Sequence, residues 1–113
     1  MLDRILNIYF LGIGGIGMSA LAHWTHLRKI NTQGWDDNID SPIIDQLSQS
    51  GIMVHNTQQD EQFFSDIKNF NNENTIIIYT PAISNHHPIF QYFKTKKYKM
   101  YKRADLLEFI SKS

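Results

Sequence analysis

Three glycines, Gly12, Gly14 and Gly17, stand in the spacing G-x-G-x-x-G within Ile8-Tyr9-Phe10-Leu11-Gly12-Ile13-Gly14-Gly15-Ile16-Gly17-Met18-Ser19. Residues of this type at this spacing suit the holding of a diphosphate against bare backbone. Gly12 allows a tight turn out of a strand. Gly14 lacks a Cβ, so a diphosphate can come close, and Gly17 lets the next helix pack near the strand. The unpaired N–H groups and positive dipole end of that helix then face the anion. A turn of this composition can also bind nothing. The apolar run before it and the helical pattern after it favour the anion site.

A second set of residues fits the same ligand. Asp36 and Asp37 follow the third glycine at the distance where an acidic side chain accepts hydrogen bonds from ribose hydroxyls. Asp36 is preferred because it stands nearer the strand end. Thr80-Pro81-Ala82-Ile83 stops an apolar run with a proline and supplies a hydroxyl, as a ligand wall would. Ser19, one turn into the helix, either donates to a phosphate oxygen or ties up a free backbone group. Arg103 follows a short strand-like run and is placed to point toward the same crevice.

Other chemistry finds little support. His86-His87 are adjacent, His23 and His26 read as surface positions, and no third ligand stands at metal-binding spacing, so no metal site is expected. The lysines at 94, 96, 97, 99 and 102 read as a solvated edge beside a strand. There is no nucleophile elbow, and no G-x-x-x-x-G-K-[ST] loop for ATP, so the chain reads as able to bind but without catalytic residues. It has no cysteine, which excludes disulfides and thiol chemistry. Formal net charge is zero, so neither nucleic acid nor an anionic membrane surface is indicated. No apolar stretch approaches the roughly 18 residues needed to span a bilayer. The N-terminus lacks a signal-peptide layout, and a cytoplasmic location is expected.

The elements that must position these residues alternate between strand and helix. Strands are expected at Ile5–Leu11, Asn31–Trp35, Ile52–His55, Thr75–Tyr79 and Tyr98–Tyr101. Helices are expected at Ile16–Arg28, from Ser41-Pro42 to about Gln49, and at Glu61–Phe70, Pro88–Lys96 and Ala104–Ser111, with Asn69–Asn74 as a loop. In the first helix, Ile16, Ala20, Leu21, Trp24 and Leu27 form the expected core stripe. Ser41 is a good N-cap and Pro42 suits the first turn. This rhythm predicts one α/β domain over residues 1–113, a Rossmann-like five-stranded parallel sheet in the order 3-2-1-4-5 with helices on both faces. The loops after strands 1 and 4 then face each other across the ligand crevice.

With those motifs in place, the chain resembles the Mur ligase family, in its branch of UDP-N-acetylmuramate–L-alanine ligases. The resemblance rests on the stretch 10–22, on Gly34-Trp35-Asp36, on Tyr79-Thr80-Pro81-Ala82-Ile83, and on Lys102-Arg103-Ala104-Asp105-Leu106-Leu107. It implies that the domain holds the UDP part of UDP-N-acetylmuramate through Gly12, Ile13, Gly14, Gly15, Ile16, Gly17, Met18, Ser19, Asp36, Thr80, Pro81, Ala82 and Arg103. It also implies that ATP and Mg²⁺ bind in a central domain, that a C-terminal domain helps place L-alanine, and that both lie outside these residues. The whole enzyme would be a ligase of peptidoglycan synthesis, and this domain alone would be inactive. Some relatives carry an Asn-His pair after strand 3. This chain reads Asn56-Thr57-Gln58-Gln59 there, and no histidine role carries over. Two readings compete: an NAD-binding domain of a dehydrogenase or redox regulator, and the related ligase that recycles cell-wall tripeptide. A stand-alone UDP-sugar sensor is a further, non-enzymatic one.

Overall fold

A computed structural model describes residues 4–56 and 59–112. Thr57 and Gln58, within the stretch read above against the Asn-His pair, and the first three residues of the N-terminus lie outside the described residues. The order is β1 (Asn7–Leu11), α1 (Met18–Leu27), β2 (Asn31–Trp35), α2 (Pro42–Gln49), β3 (Met53–His55), α3 (Glu61–Asp66), β4 (Thr75–Tyr79), α4 (Pro88–Thr95), β5 (Lys99–Lys102) and α5 (Arg103–Lys112). All pairings are parallel and the sheet order is β3-β2-β1-β4-β5. This is the Rossmann-like arrangement that the strand–helix rhythm predicts.

The two apolar strands lie side by side at the centre, with Ile8 beside Ile76 and Phe10 beside Ile78. Every residue of β1 is buried, because helices cover both faces. Strand alternation sorts the side chains into two cores. Ile8, Phe10, Ile76 and Ile78 face Met18, Leu21, Ile44, Leu47 and Leu106 on one side. Tyr9, Leu11 and Ile77 face Phe63, Ile89 and Phe93 on the other.

Helix starts follow local chemistry. Ser41 Oγ accepts the Ile43 N–H at 3.1 Å with Pro42 in the first turn, and Asp60 Oδ1 accepts the Phe63 N–H at 2.8 Å. The expected core stripe of α1 requires correction. The helix begins at Met18, after Gly17 in the left-handed region (φ 83°), and its buried residues are Met18, Leu21, Ala22 and Thr25. Ile16 is 95 % exposed and Leu27 80 %. The turn at Gly17 separates Ile16 from the helix, so of the expected stripe only Leu21 is buried in the core, with Ala20 exposed and Trp24 half-buried. Trp24 lies on the outer side, under the Arg28 guanidinium at 4.0 Å. Helix α3 ends at Asp66, short of the expected Phe70, because Ile67 leaves helical geometry at φ −107°.

One buried polar chain ties the second core to the sheet edge. Tyr9 Oη lies 2.9 Å from His55 Nδ1, and His55 Nε2 lies 2.7 Å from Asp66 Oδ2. Burial, reinforced by Asp66, holds the Tyr9 phenol well above its usual pKa, so it keeps its proton. Tyr9→Phe leaves His55 Nδ1 without its hydrogen-bond partner, at a cost of about 1–3 kcal/mol. Thermal unfolding followed by circular dichroism should show a midpoint lower by roughly 5–15 °C. An unchanged midpoint would mean that the imidazole finds another partner.

Candidate functional site

The glycine turn and the β4–α4 loop meet at the carboxyl ends of β1 and β4, where ligands bind in such sheets. A Cβ built on Gly12 would lie 3.6 Å from Ile83 and 3.7 Å from Thr80 Oγ1. Between them is a crevice of about 350 Å³. Gly12 and Gly15 line it from the turn, Trp35, Asp36 and Asp37 from the end of β2, and Thr80, Ala82, Ile83, Ser84 and His87 from the β4–α4 loop. A larger open groove of about 970 Å³ lies at the opposite end of the sheet, beside Arg4, Asn74 and Lys99. It holds none of the residues singled out for ligand chemistry.

The turn uses most of its own donors. Gly12 and Ile13 N–H both donate to the Trp35 carbonyl, at 2.8 and 3.0 Å. Gly14 N–H donates to Asp36 Oδ2 at 2.8 Å. Gly15, Met18 and Ser19 N–H close the turn on the Gly12 and Gly15 carbonyls. Among the described residues, the N–H groups of Ile16 and Gly17 alone in this turn have no partner. They open α1, which has no side-chain cap and no acidic residue in its first turn. The Arg103 guanidinium sits on the same spot: a Cβ on Gly17 would lie 2.6 Å from its Nη1. Two free N–H donors, a helix N-terminus and a guanidinium therefore converge, and an anion would satisfy all of them.

Asp36 is held from three directions. Its own N–H donates to the His55 carbonyl at 3.0 Å, and its oxygens accept from Gly14 N–H and, at 3.0 Å, from Asn38 N–H. This carboxylate therefore braces the glycine turn as well as facing the crevice. Gly14 has no positive φ, and its missing Cβ is needed by the protein itself: the atom would meet Asp36 Oδ2 and Ile44 Cδ1 at 2.9 Å.

The remaining expected site residues divide. Gly12, Gly15, Asp36, Thr80 and Ala82 come together around the crevice, and Gly17 and Arg103 meet at the start of α1, outside the crevice lining. Ile13 and Met18 do not reach it: both side chains are fully buried in the first core and both N–H groups are spent on the turn. The Ile16 side chain projects into solvent, and its backbone N–H has no partner among the described residues. Ser19 lies half-buried in the first turn of α1, and Pro81 is exposed outside the crevice lining.

Two positions escaped the sequence reading. At Gly34 a Cβ would meet Ile13 and the Phe10 carbonyl at 2.7 Å, whereas a Cβ on Gly17, expected to let the helix pack near the strand, would meet Arg103 instead. A glycine inside a strand is the signal for the close approach at Gly34. His87 caps α4, its Nδ1 accepting the Ile89 N–H at 3.2 Å, and its ring packs on Trp35 with centroids 4.3 Å apart. Burial lowers its pKa, and the nearby Asp37 opposes that shift. The pair His87-Pro88 marks a helix start, but nothing local places the ring over Trp35. Among the described residues no group of three or more potential ligands could hold a metal ion, and no helix is long and apolar enough to cross a membrane.

Residues 7–113 match the model described as Mur ligase family, catalytic domain. The chain belongs to the Mur ligase family. A UDP-N-acetylmuramate–L-alanine ligase of Porphyromonas gingivalis is 42% identical over 107 residues, covering 89% of this chain and 22% of that protein. One from Flavobacterium psychrophilum is 39% identical over 115 residues, covering 98% and 24%. The Mur-family chain thus spans about a quarter of the length of these relatives. In fold it is similar to the crystal structure of UDP-N-acetylmuramate-alanine ligase MurC from Thermotoga maritima, with a TM-score of 0.76 and 23% identity over 94% of this chain and 23% of that one. It is also similar to a murein peptide ligase from Psychrobacter arcticus, with a TM-score of 0.68 and 20% identity over 85% of this chain and 18% of that one.

Proposed function

We propose that this chain is the nucleotide-holding domain of an ATP-dependent UDP-N-acetylmuramate–L-alanine ligase of peptidoglycan synthesis, acting in the cytoplasm. The observation that carries the reading is a glycine turn whose Gly12 and Gly15 line a crevice with Asp36, and whose free Ile16 and Gly17 N–H groups stand beside Arg103 at the start of α1. The diphosphate of the UDP-sugar lies at those N–H groups, and the ribose hydroxyls donate to Asp36. The names of the relatives supply the sugar and the amino acid. The chain spans about a quarter of the length of its relatives and carries no nucleotide-triphosphate loop, so no ATP or Mg²⁺ chemistry is assigned to it. The domain's own contribution is to hold the nucleotide end of the substrate.

Calorimetry with UDP-N-acetylmuramate, UDP and NADH tests the reading. Both uridine ligands are expected to bind and NADH to bind far more weakly; preference for NADH would replace the ligase reading with a dinucleotide domain. Arg103→Ala should weaken UDP by about 1.5–3 kcal/mol, the range for a hydrogen bond to a charged group. The loss should shrink as salt is raised, because this guanidinium is exposed. Parental affinity in the variant would remove Arg103 from the anion site.

A further inference from the structure

We propose that His87 is a ligand-contacting residue that recognises the nucleoside half of the bound diphosphate, through an Nε2–H donor held in one orientation by the helix it caps. This deepens the reading above and rests on it. The geometry comes from two contacts that fix the ring. Nδ1 accepts the Ile89 N–H, so in the neutral imidazole the proton must sit on Nε2. The ring face lies against Trp35, 4.3 Å between centroids and tilted by 59°. Both residues line the crevice, and among the described residues His87 Nε2 has no hydrogen-bond partner.

The electrostatics decide which half of the ligand meets this wall. The free backbone donors and Arg103 stand at the α1 end and take the charged phosphates. Around His87 the neighbouring charges are the carboxylates of Asp36 and Asp37, which would repel a phosphate. An uncharged group rich in acceptor oxygens fits there. Uridine brings acceptors of two kinds, the base carbonyls and the ribose oxygens.

The test is His87→Asn, because an asparagine oxygen can still cap α4 while the ring and its outward donor are lost. NMR titrations of parental and variant chains with UDP, ribose 5-phosphate and pyrophosphate are compared. The variant should bind UDP at least tenfold more weakly and pyrophosphate within twofold of the parent. A matching loss for ribose 5-phosphate assigns the contact to the ribose; a loss confined to UDP assigns it to the base. UDP affinity within twofold of the parent, or equal losses for UDP and pyrophosphate, would overturn the proposal. Imidazole ¹⁵N shifts of the parental chain give a check that needs no variant. His87 should appear as the Nε2–H form and should shift with UDP but not with pyrophosphate. A parental chain that binds UDP with His87 unmoved overturns this inference alone. One that binds no UDP overturns the proposed function and this inference with it.

Discussion

Gly34→Val is expected to cost the domain about 3 kcal/mol or more, the upper part of the range for overpacking. The first added carbon would meet Ile13 and the Phe10 carbonyl oxygen at 2.7 Å. The Ile13 side chain is fully buried under α1 and α2, and the Phe10 carbonyl belongs to the central strand, so neither can move cheaply. The damage reaches the site as well. Gly12 and Ile13 both donate to the carbonyl of Trp35, the residue after Gly34, and displacing Ile13 pulls the glycine turn off the end of β2. Urea and thermal unfolding should show a midpoint lower by on the order of 15 °C for a domain of this size. A Gly34→Val chain with the parental midpoint would show that Ile13 repacks freely.

Asp36→Ala is expected to produce the largest loss of ligand affinity by a single carboxylate. The variant removes the acceptor for Gly14 N–H and for Asn38 N–H, so the turn loses its brace, and in the proposed complex it also removes the partner of the ribose hydroxyls. UDP should weaken by about 1.5–3 kcal/mol. A 2′,3′-dideoxyuridine diphosphate has no ribose hydroxyls to lose, so its smaller loss measures the brace alone. Equal losses for the two ligands would show that Asp36 acts only through the turn. The same titrations on Asp37→Ala should show little change, because that exposed carboxylate makes no hydrogen bond to the turn.

The sequence by itself determined the sheet and which loops meet at the candidate site. Two unbroken apolar runs can be buried on both faces only at the centre of a parallel sheet, and the strand–helix rhythm with right-handed crossovers leaves 3-2-1-4-5 as the order. With that order, the turn at Gly12 and the loop at Thr80 must face each other. Ser41-Pro42 located a helix start because capping is local chemistry. The phase of α1 was beyond such reading. Its core stripe depends on Gly17 taking a left-handed conformation, and the apolar count from Ile16 to Leu27 carries no sign of that break.

Tertiary structure alone decided how the site residues divide their work. Arg103 meets Gly17 because the last crossover brings the start of α5 over the start of α1. His87 meets Trp35 because α4 packs on the face of the sheet opposite α1. Asp36, read as a ribose partner, is also the acceptor that closes the glycine turn. Periodicity and spacing report on neighbours within an element and on the topology that joins elements. Which donors remain free for a ligand depends on hydrogen bonds between segments far apart in the chain, and those exist only once the sheet has brought the segments together.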